Sequence, residues 1–319
     1  MSPAKRVLVT GAGGFVGRWS IGPLLNRGYE VHAVLSGSHQ RRAPQELREA
    51  AVHFADLLDA GQTDALLARV APTHLLHFAW IATPGVYWHS AENFRWLDAS
   101  RNLLRRFRAE GGARAVMAGS SAEYDWSRVG LCIESSSPLA DAAGGAPTAY
   151  AAGKLAMQKD LAQFAARERL SAAWGRIFFQ FGPNEHPDRL VPSVIRHLLL
   201  NQEAPCTHGR QIRSFLHVAD VGEAFAQLLD SEVQGPVNIG SADRIKVADL
   251  IERIAQQIGR PELVRLGARE TVTEEPPLLV PDVHRLHDEV QWRPRLSLGE
   301  AIGDTIGWWR TQTAMRDGS

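Results

Sequence analysis

Along roughly the first half of the chain, short apolar runs alternate with longer amphipathic stretches. The runs predict strands at Arg6–Thr10, Glu30–Leu35, Val52–Phe54, His74–Phe78, Arg114–Ala118 and Ala173–Ile177. The stretches between them predict helices at Phe15–Arg27, Thr63–Val70, Ala91–Glu110 and Tyr150–Arg169. Val7-Leu8-Val9 and Ala115-Val116-Met117-Ala118 are apolar without alternation, as strands buried on both faces should be. Alternating strands and helices predict a parallel sheet covered by helices on both sides.

Beyond about residue 178 the pattern loosens. Prolines such as Pro183, Pro187, Pro192, Pro205, Pro261 and Pro294 cut it into short pieces, with helices expected at Val191–Leu200, Ala219–Ser231, Val247–Ile258 and Leu298–Trp309. A smaller lobe covering the carboxyl ends of the strands, where open α/β sheets bind ligands, fits this pattern. The expected division is 1–178, taking in about 218–242 as well, for the sheet domain and 179–319 for the lobe. Asp125–Thr148, rich in Ser, Gly and Ala, is the longest expected loop.

Charge and cysteine usage narrow the function classes. The 35 basic and 35 acidic residues cancel, so no basic field favours nucleic acid. No stretch approaches the roughly 20 apolar residues of a membrane span, and the start of the chain runs into a strand too short for a signal peptide's apolar region. Cys132 and Cys206 form no close pair, which suits a reducing compartment. A cytoplasmic protein is expected. The 12 histidines show no metal-ligand spacing.

Chemistry enters at Arg6-Val7-Leu8-Val9-Thr10, which leads into Gly11-Ala12-Gly13-Gly14-Phe15-Val16-Gly17 and then a helical stretch. Strand, glycine turn and helix together suit a diphosphate: the glycines let the backbone approach closely, and the helix start receives the negative charge. The motif therefore predicts a Rossmann-type, doubly wound α/β domain holding a dinucleotide. The second strand ends in Leu35-Ser36-Gly37-Ser38 without the carboxylate that holds the ribose hydroxyls of NAD(H). Ser36, Ser38 and the charge of Arg41 or Arg42 suit a 2′-phosphate instead. That favours NADP(H), with NAD(H) the alternative. Asp56 stands either at the adenine or as a helix cap.

Tyr150 and Lys154 lie four residues apart, on one face of the expected helix. A phenol is a poor base near neutral pH, and a neighbouring ammonium favours its ionised form. Such a tyrosine exchanges a proton with a hydroxyl or carbonyl while hydride moves to or from a nicotinamide. Ser121, just after the fifth strand, is the expected hydroxyl on the reacting oxygen. His77 reads as a packed residue, His186 as a cleft-loop residue, and Trp80, Trp88 and Trp126 as core or sugar-site aromatics.

These motifs resemble the extended short-chain dehydrogenase/reductase family, in its nucleotide-sugar epimerase/dehydratase branch. The likeness rests on Thr10–Gly17, Ser121, Tyr150–Lys154, Phe181–Pro183, Gln211–Val221, Asn238–Ser241 and Gln291–Pro294. It implies Ser121, Tyr150 and Lys154 as the catalytic triad. For the cofactor it implies Gly11, Gly14, Phe15, Val16, Gly17, Leu57 and Ala79, beside the residues already named. For a nucleotide-sugar it implies Phe179, Val191, Arg213 and Arg285, with Arg213 clamping the diphosphate, and it implies a homodimer. Two positions depart from the family: Phe179 stands where UDP-hexose binders often have Asn, and Ser214 where they usually have Asp.

Among the reactions of this branch, the missing carboxylate tilts towards net reduction, because a reductase more often draws on NADPH. Dehydratases carry an acid and a base directly after the hydroxyl; here Ala122 replaces the acid, while the resemblance implies Glu123 as an accessory base. The expected activity is an NADPH-dependent 4-ketoreductase of a nucleotide-linked deoxysugar. The alternatives are an NAD-dependent nucleotide-sugar epimerase, a 4,6-dehydratase, and more remotely a dinucleotide-binding sensor.

Overall fold

The computed structural model describes residues 5–37, 43–128, 130–140, 148–270 and 276–317. Seven parallel strands form the central sheet: β1 (Arg6–Thr10), β2 (Glu30–Leu35), β3 (Ala51–Phe54), β4 (His74–His77), β5 (Arg114–Ser120), β7 (Ser171–Ile177) and β12 (Gly235–Ile239). Their order across the sheet is β12-β7-β5-β4-β1-β2-β3, which is the doubly wound arrangement.

The apolar runs sort onto two faces with the strand period of two. Val7 and Val9 enter one core with Val116, Val221, Phe225 and Leu228, while Leu8 enters the other with Leu75, Met117, Phe107 and Leu161. The second core is covered by α2 (Ala60–Val70), α3 (Glu92–Ala109) and α4 (Ala149–Glu168). The first is covered by α1 (Ile21–Asn26) and α6 (Val218–Asp230).

The smaller lobe packs α5 (Leu190–Leu199), α7 (Val247–Ile258) and α8 (Leu298–Asp317) around Ile195, Leu250, Ile254, Ile302 and Trp309. Short strands surround it. β6 (Leu131–Cys132), β10 (Ile212–Arg213), β13 (Ile245–Lys246) and β15 (Leu278–Pro281) make a mixed sheet. β8 (Phe179–Phe181) pairs with β11 (Phe215–His217), and β9 (Ala204–Pro205) with β14 (Val264–Arg265).

Most expected elements appear within a residue or two of their bounds. The helix expected over Phe15–Arg27 differs: a tight 3-10 turn spans Gly17–Ser20 and the α-helix begins only at Ile21. Pro23 accounts for the late start. It lacks an N–H, so it fits in the first turn of an α-helix and breaks the bonding of an interior one. At the far end, α8 runs on to Asp317, past the expected Trp309, through turns that are largely polar and leave no apolar signal to read. Within the expected loop Asp125–Thr148, Leu131–Cys132 forms β6, and residues 141–147 lie outside the described residues.

Candidate active site

The glycine turn is folded hard onto its neighbours. Gly14 N–H donates to Gly11 O at 2.9 Å. Gly11 takes a left-handed φ of +67°, and a Cβ there would lie 2.8 Å from Ala79 N, at the end of β4. A Cβ on Gly17 would lie 2.2 Å from Gly11 O. Only a backbone without side chains closes this way, and the cradle it leaves suits a diphosphate. Arg18 fastens the turn, its guanidinium donating to Gly13 O at 2.6 Å and to Gly14 O at 3.1 Å.

Around this turn the other expected cofactor residues divide. Phe15 and Val16 are partly buried beside the glycines, and Leu57 and Ala79 are packed into the core. Ser36 is exposed directly after β2. Asp56 is exposed after β3, its Oδ1 accepting from Leu58 N at 2.9 Å. It is not the helix cap, since Asp59 accepts from Gly61 N and Gln62 N at the start of α2. Ser38, Arg41 and Arg42 lie outside the described residues.

At the end of β5 the hydroxyl that meets Tyr150 is not the expected one. Ser120, not Ser121, hydrogen-bonds the side chain of Tyr150. Ser120 is the last residue of β5, whereas Ser121 opens the 3-10 turn and gives its carbonyl to Trp126 Nε1 at 2.9 Å. Successive side chains leave an extended chain in opposite directions, so one place decides which serine faces the helix. Ser120→Ala is expected to lower turnover about a hundredfold, and Ser121→Ala to stay within about threefold of the parent. Steady-state rates of the two variants check this, and a reversed order would restore Ser121.

The start of α4 is held in place. Thr148 caps it through Ala151 N, and Tyr150 N–H donates to Trp88 O. Lys154 is buried one turn on; its Nζ donates to Ala118 O at 2.9 Å and stands 4.1 Å from the Trp80 ring centre and 5.9 Å from that of Tyr150. Burial pushes its ammonium down to about 7. Burial also raises the Tyr150 phenol above its ordinary range, more than the Ser120 hydrogen bond lowers it. For the phenol, desolvation of the charged form is the dominant effect.

Aromatic rings wall this centre. Tyr87 and Trp88 meet Tyr150 edge-on at 4.8 and 5.6 Å, and Trp126 stands 5.9 Å from Trp88. Arg189 hydrogen-bonds Tyr87 and lies within electrostatic reach of Tyr150. No spacing in the Pro-rich stretch Pro183–Arg189 marked Arg189. His77 is packed between Thr10 and Ser100 and held neutral by burial, down to about 3. His186 is exposed on its loop.

Glu123 is corrected as well. It is fully buried, with Oε1 accepting from Ser120 N at 2.7 Å and Oε2 from Arg176 Nε at 2.8 Å. Trp174 Nε1 donates to both oxygens, at 3.0 and 2.9 Å. A carboxylate so occupied is no accessory base.

Of the four expected substrate residues, two come together. The Arg213 guanidinium lies 5.2 Å from the Phe179 ring centre and donates to Ile212 O and Pro276 O. Val191 is instead 1% exposed in the core of the smaller lobe, packed among apolar side chains. Arg285 is far from the cleft. It donates to Gln234 O and Pro236 O, at the beginning of β12, and pairs with Glu289. The cleft is at the opposite, carboxyl ends of the strands. Among the described residues no cluster suits a metal ion, and no helix is long and apolar enough to cross a membrane.

Comparison with known proteins places this geometry. The model of the NAD dependent epimerase/dehydratase family matches residues 7–240. UDP-glucuronic acid decarboxylase 1 of Xenopus tropicalis is 25% identical over 97% of this chain and 73% of its own length. The structure of MoeE5 in complex with UDP-glucuronic acid and NAD superposes with a TM-score of 0.76 at 27% identity, covering 96% of this chain and 99% of that one. UDP-glucose 4-epimerase of Thermotoga maritima with UDP-glucose shares the fold at a TM-score of 0.82 and 19% identity, covering 97% and 99% of the two chains.

Proposed function

The chain belongs to the NAD dependent epimerase/dehydratase family, and from that premise we propose that it is an NADPH-dependent 4-ketoreductase of a nucleotide-linked deoxysugar. One observation carries the choice of reaction. With Ser120 as the hydroxyl on Tyr150, the residues that follow it are Ser121 and Ala122, and neither supplies the carboxylate that dehydration needs. Glu123, next in line, is sealed in its ion pair with Arg176.

The cradle of Gly11, Gly14 and Gly17 fits a dinucleotide, because its amides are approachable only where side chains are missing. When bound there, a reduced nicotinamide would supply the hydride for the sugar's C4 carbonyl. Tyr150, protonated because it is buried, gives its phenolic proton to the carbonyl oxygen, while Ser120 orients both groups. The aromatic wall of Tyr87, Trp88 and Trp126 suits the apolar face of a hexose lacking its 6-hydroxyl. Arg213, beside Phe179, is the guanidinium that the family resemblance assigns to the nucleotide diphosphate. A homodimer in the cytoplasm is the expected setting.

The missing carboxylate after β2 supports NADPH over NADH. The second reading, an NAD-dependent nucleotide-sugar epimerase, is favoured by the likeness to MoeE5, a protein seen with NAD and UDP-glucuronic acid. A non-catalytic sensor has no use for the Ser120–Tyr150 pair. Titration of the nucleotide-stripped protein decides between the cofactors. NADPH is expected to bind at least about tenfold more tightly than NADH, about 1.4 kcal/mol. It should then be oxidised in the presence of a 4-keto-6-deoxyhexose nucleotide. NAD that resists stripping, with an epimerised sugar as product, would overturn the reductase.

A further inference from the structure

A buried ion pair lies beneath the reaction centre, and none of the chemistry above uses it. Glu123 and Arg176 are 0% and 1% exposed. Around them, Arg176 donates to Tyr124 Oη at 3.0 Å and to Gln158 Oε1 at 3.0 Å. Gln158 is one helical turn beyond Lys154 on α4. Gly119 makes room for the pair: a Cβ there would lie 2.1 Å from Trp174 Nε1 and 2.4 Å from Glu123 Oε1. Through Glu123 the network therefore grips the backbone of Ser120, and through Arg176 it grips the helix bearing Tyr150 and Lys154.

Stability alone does not explain such a pair, since desolvating two charges commonly costs as much as their attraction returns, and apolar side chains of similar shape pack as well. What apolar side chains lack is a fixed negative charge. We propose that Glu123, held by Arg176, is a positioning residue for the reaction at Tyr150: it aims Ser120 through the backbone and keeps a negative charge facing Lys154, so that the lysine works as a cation. The proposal rests on the reading of Tyr150 and Lys154 as the reacting pair.

The other groups around Lys154 leave this part to Glu123. Described titratable groups that interact with it are His77 on β4, Tyr150 on its own helix, and Glu123 from the turn after β5. His77 and Tyr150 are both held neutral by burial. Ala118 O and the Trp80 ring face the ammonium as dipole and π-cloud only. Burial drives Lys154 down, and the charge that opposes burial is Glu123.

The chain has only four lysines, so lysine labelled with 13C at Cε gives a countable NMR spectrum, with Lys154 assigned through Lys154→Arg. The full-length protein is titrated without substrate or cofactor, so a wrong assignment of the reaction leaves the outcome readable. In Glu123→Gln, which keeps an acceptor for Ser120 N–H, the Lys154 midpoint is expected to fall by about one unit or more from its value near 7. Because Arg176 is then buried without its partner, Glu123→Gln/Arg176→Gln is titrated alongside and is expected to shift in the same direction. Turnover at pH 7 should drop at least about tenfold with dinucleotide affinity little changed. An unchanged Lys154 midpoint in whichever variant folds overturns the proposal, whatever becomes of turnover.

Discussion

Tyr150→Phe should lower turnover by about 10³–10⁴-fold while leaving the affinity for NADPH within about threefold of the parent. The ring itself is part of the wall formed with Tyr87 and Trp88, and phenylalanine keeps that packing. What disappears is the hydroxyl that meets Ser120, the proton donor of the proposed reaction. Lys154 keeps its bond to Ala118 O and its place over Trp80, so the cofactor pocket is unaltered. Single-turnover rates after mixing with NADPH and a 4-keto sugar nucleotide, together with a binding titration, separate the two quantities. A variant that turns over at near the parental rate would mean that another group protonates the carbonyl, and the mechanism would fail. Loss of NADPH binding would instead say that the hydroxyl is needed to build the pocket.

Much of the fold was legible because strands buried on both faces are uniformly apolar and short. Val7–Val9 and Ala115–Ala118 could be read without knowing what covers them. The site was legible where spacing encodes geometry, as in the glycine turn and the Tyr150–Lys154 pair. It was illegible where a single residue of register decides direction. Ser120 and Ser121 are chemically identical, and only the end of β5 tells which one turns to α4. Long-range partners were hidden too. Arg285 looks like any arginine until Gln234 and Pro236 are seen to receive it, and Glu123 looked like a free base because Arg176 is 53 positions away. Val191 shows the converse: an apolar residue near a cleft has no sequence mark separating a lining role from a packing one.

The glycine turn makes the second large prediction, and it comes with an internal control. In Gly17→Ala the new methyl would meet Gly11 O at 2.2 Å, Gly11 C at 2.9 Å and Ala12 Cα at 3.1 Å. All three are backbone atoms and cannot swing aside, so the turn itself must open. Opening it spoils the approach of the amides to a diphosphate, and NADPH binding should weaken at least about a hundredfold, about 2.7 kcal/mol. Strain of this kind also costs about 1–3 kcal/mol of stability. Gly22 lies five residues on, inside α1, where a Cβ would meet nothing within 4 Å. Gly22→Ala should therefore bind NADPH normally and gain up to about 1 kcal/mol, because alanine favours the helix. Equilibrium binding and thermal unfolding of both variants test this. If Gly17→Ala binds NADPH as the parent does, the diphosphate is not held by this turn. If both variants lose binding alike, the loss comes from the helix as a whole and not from the close approach at Gly17.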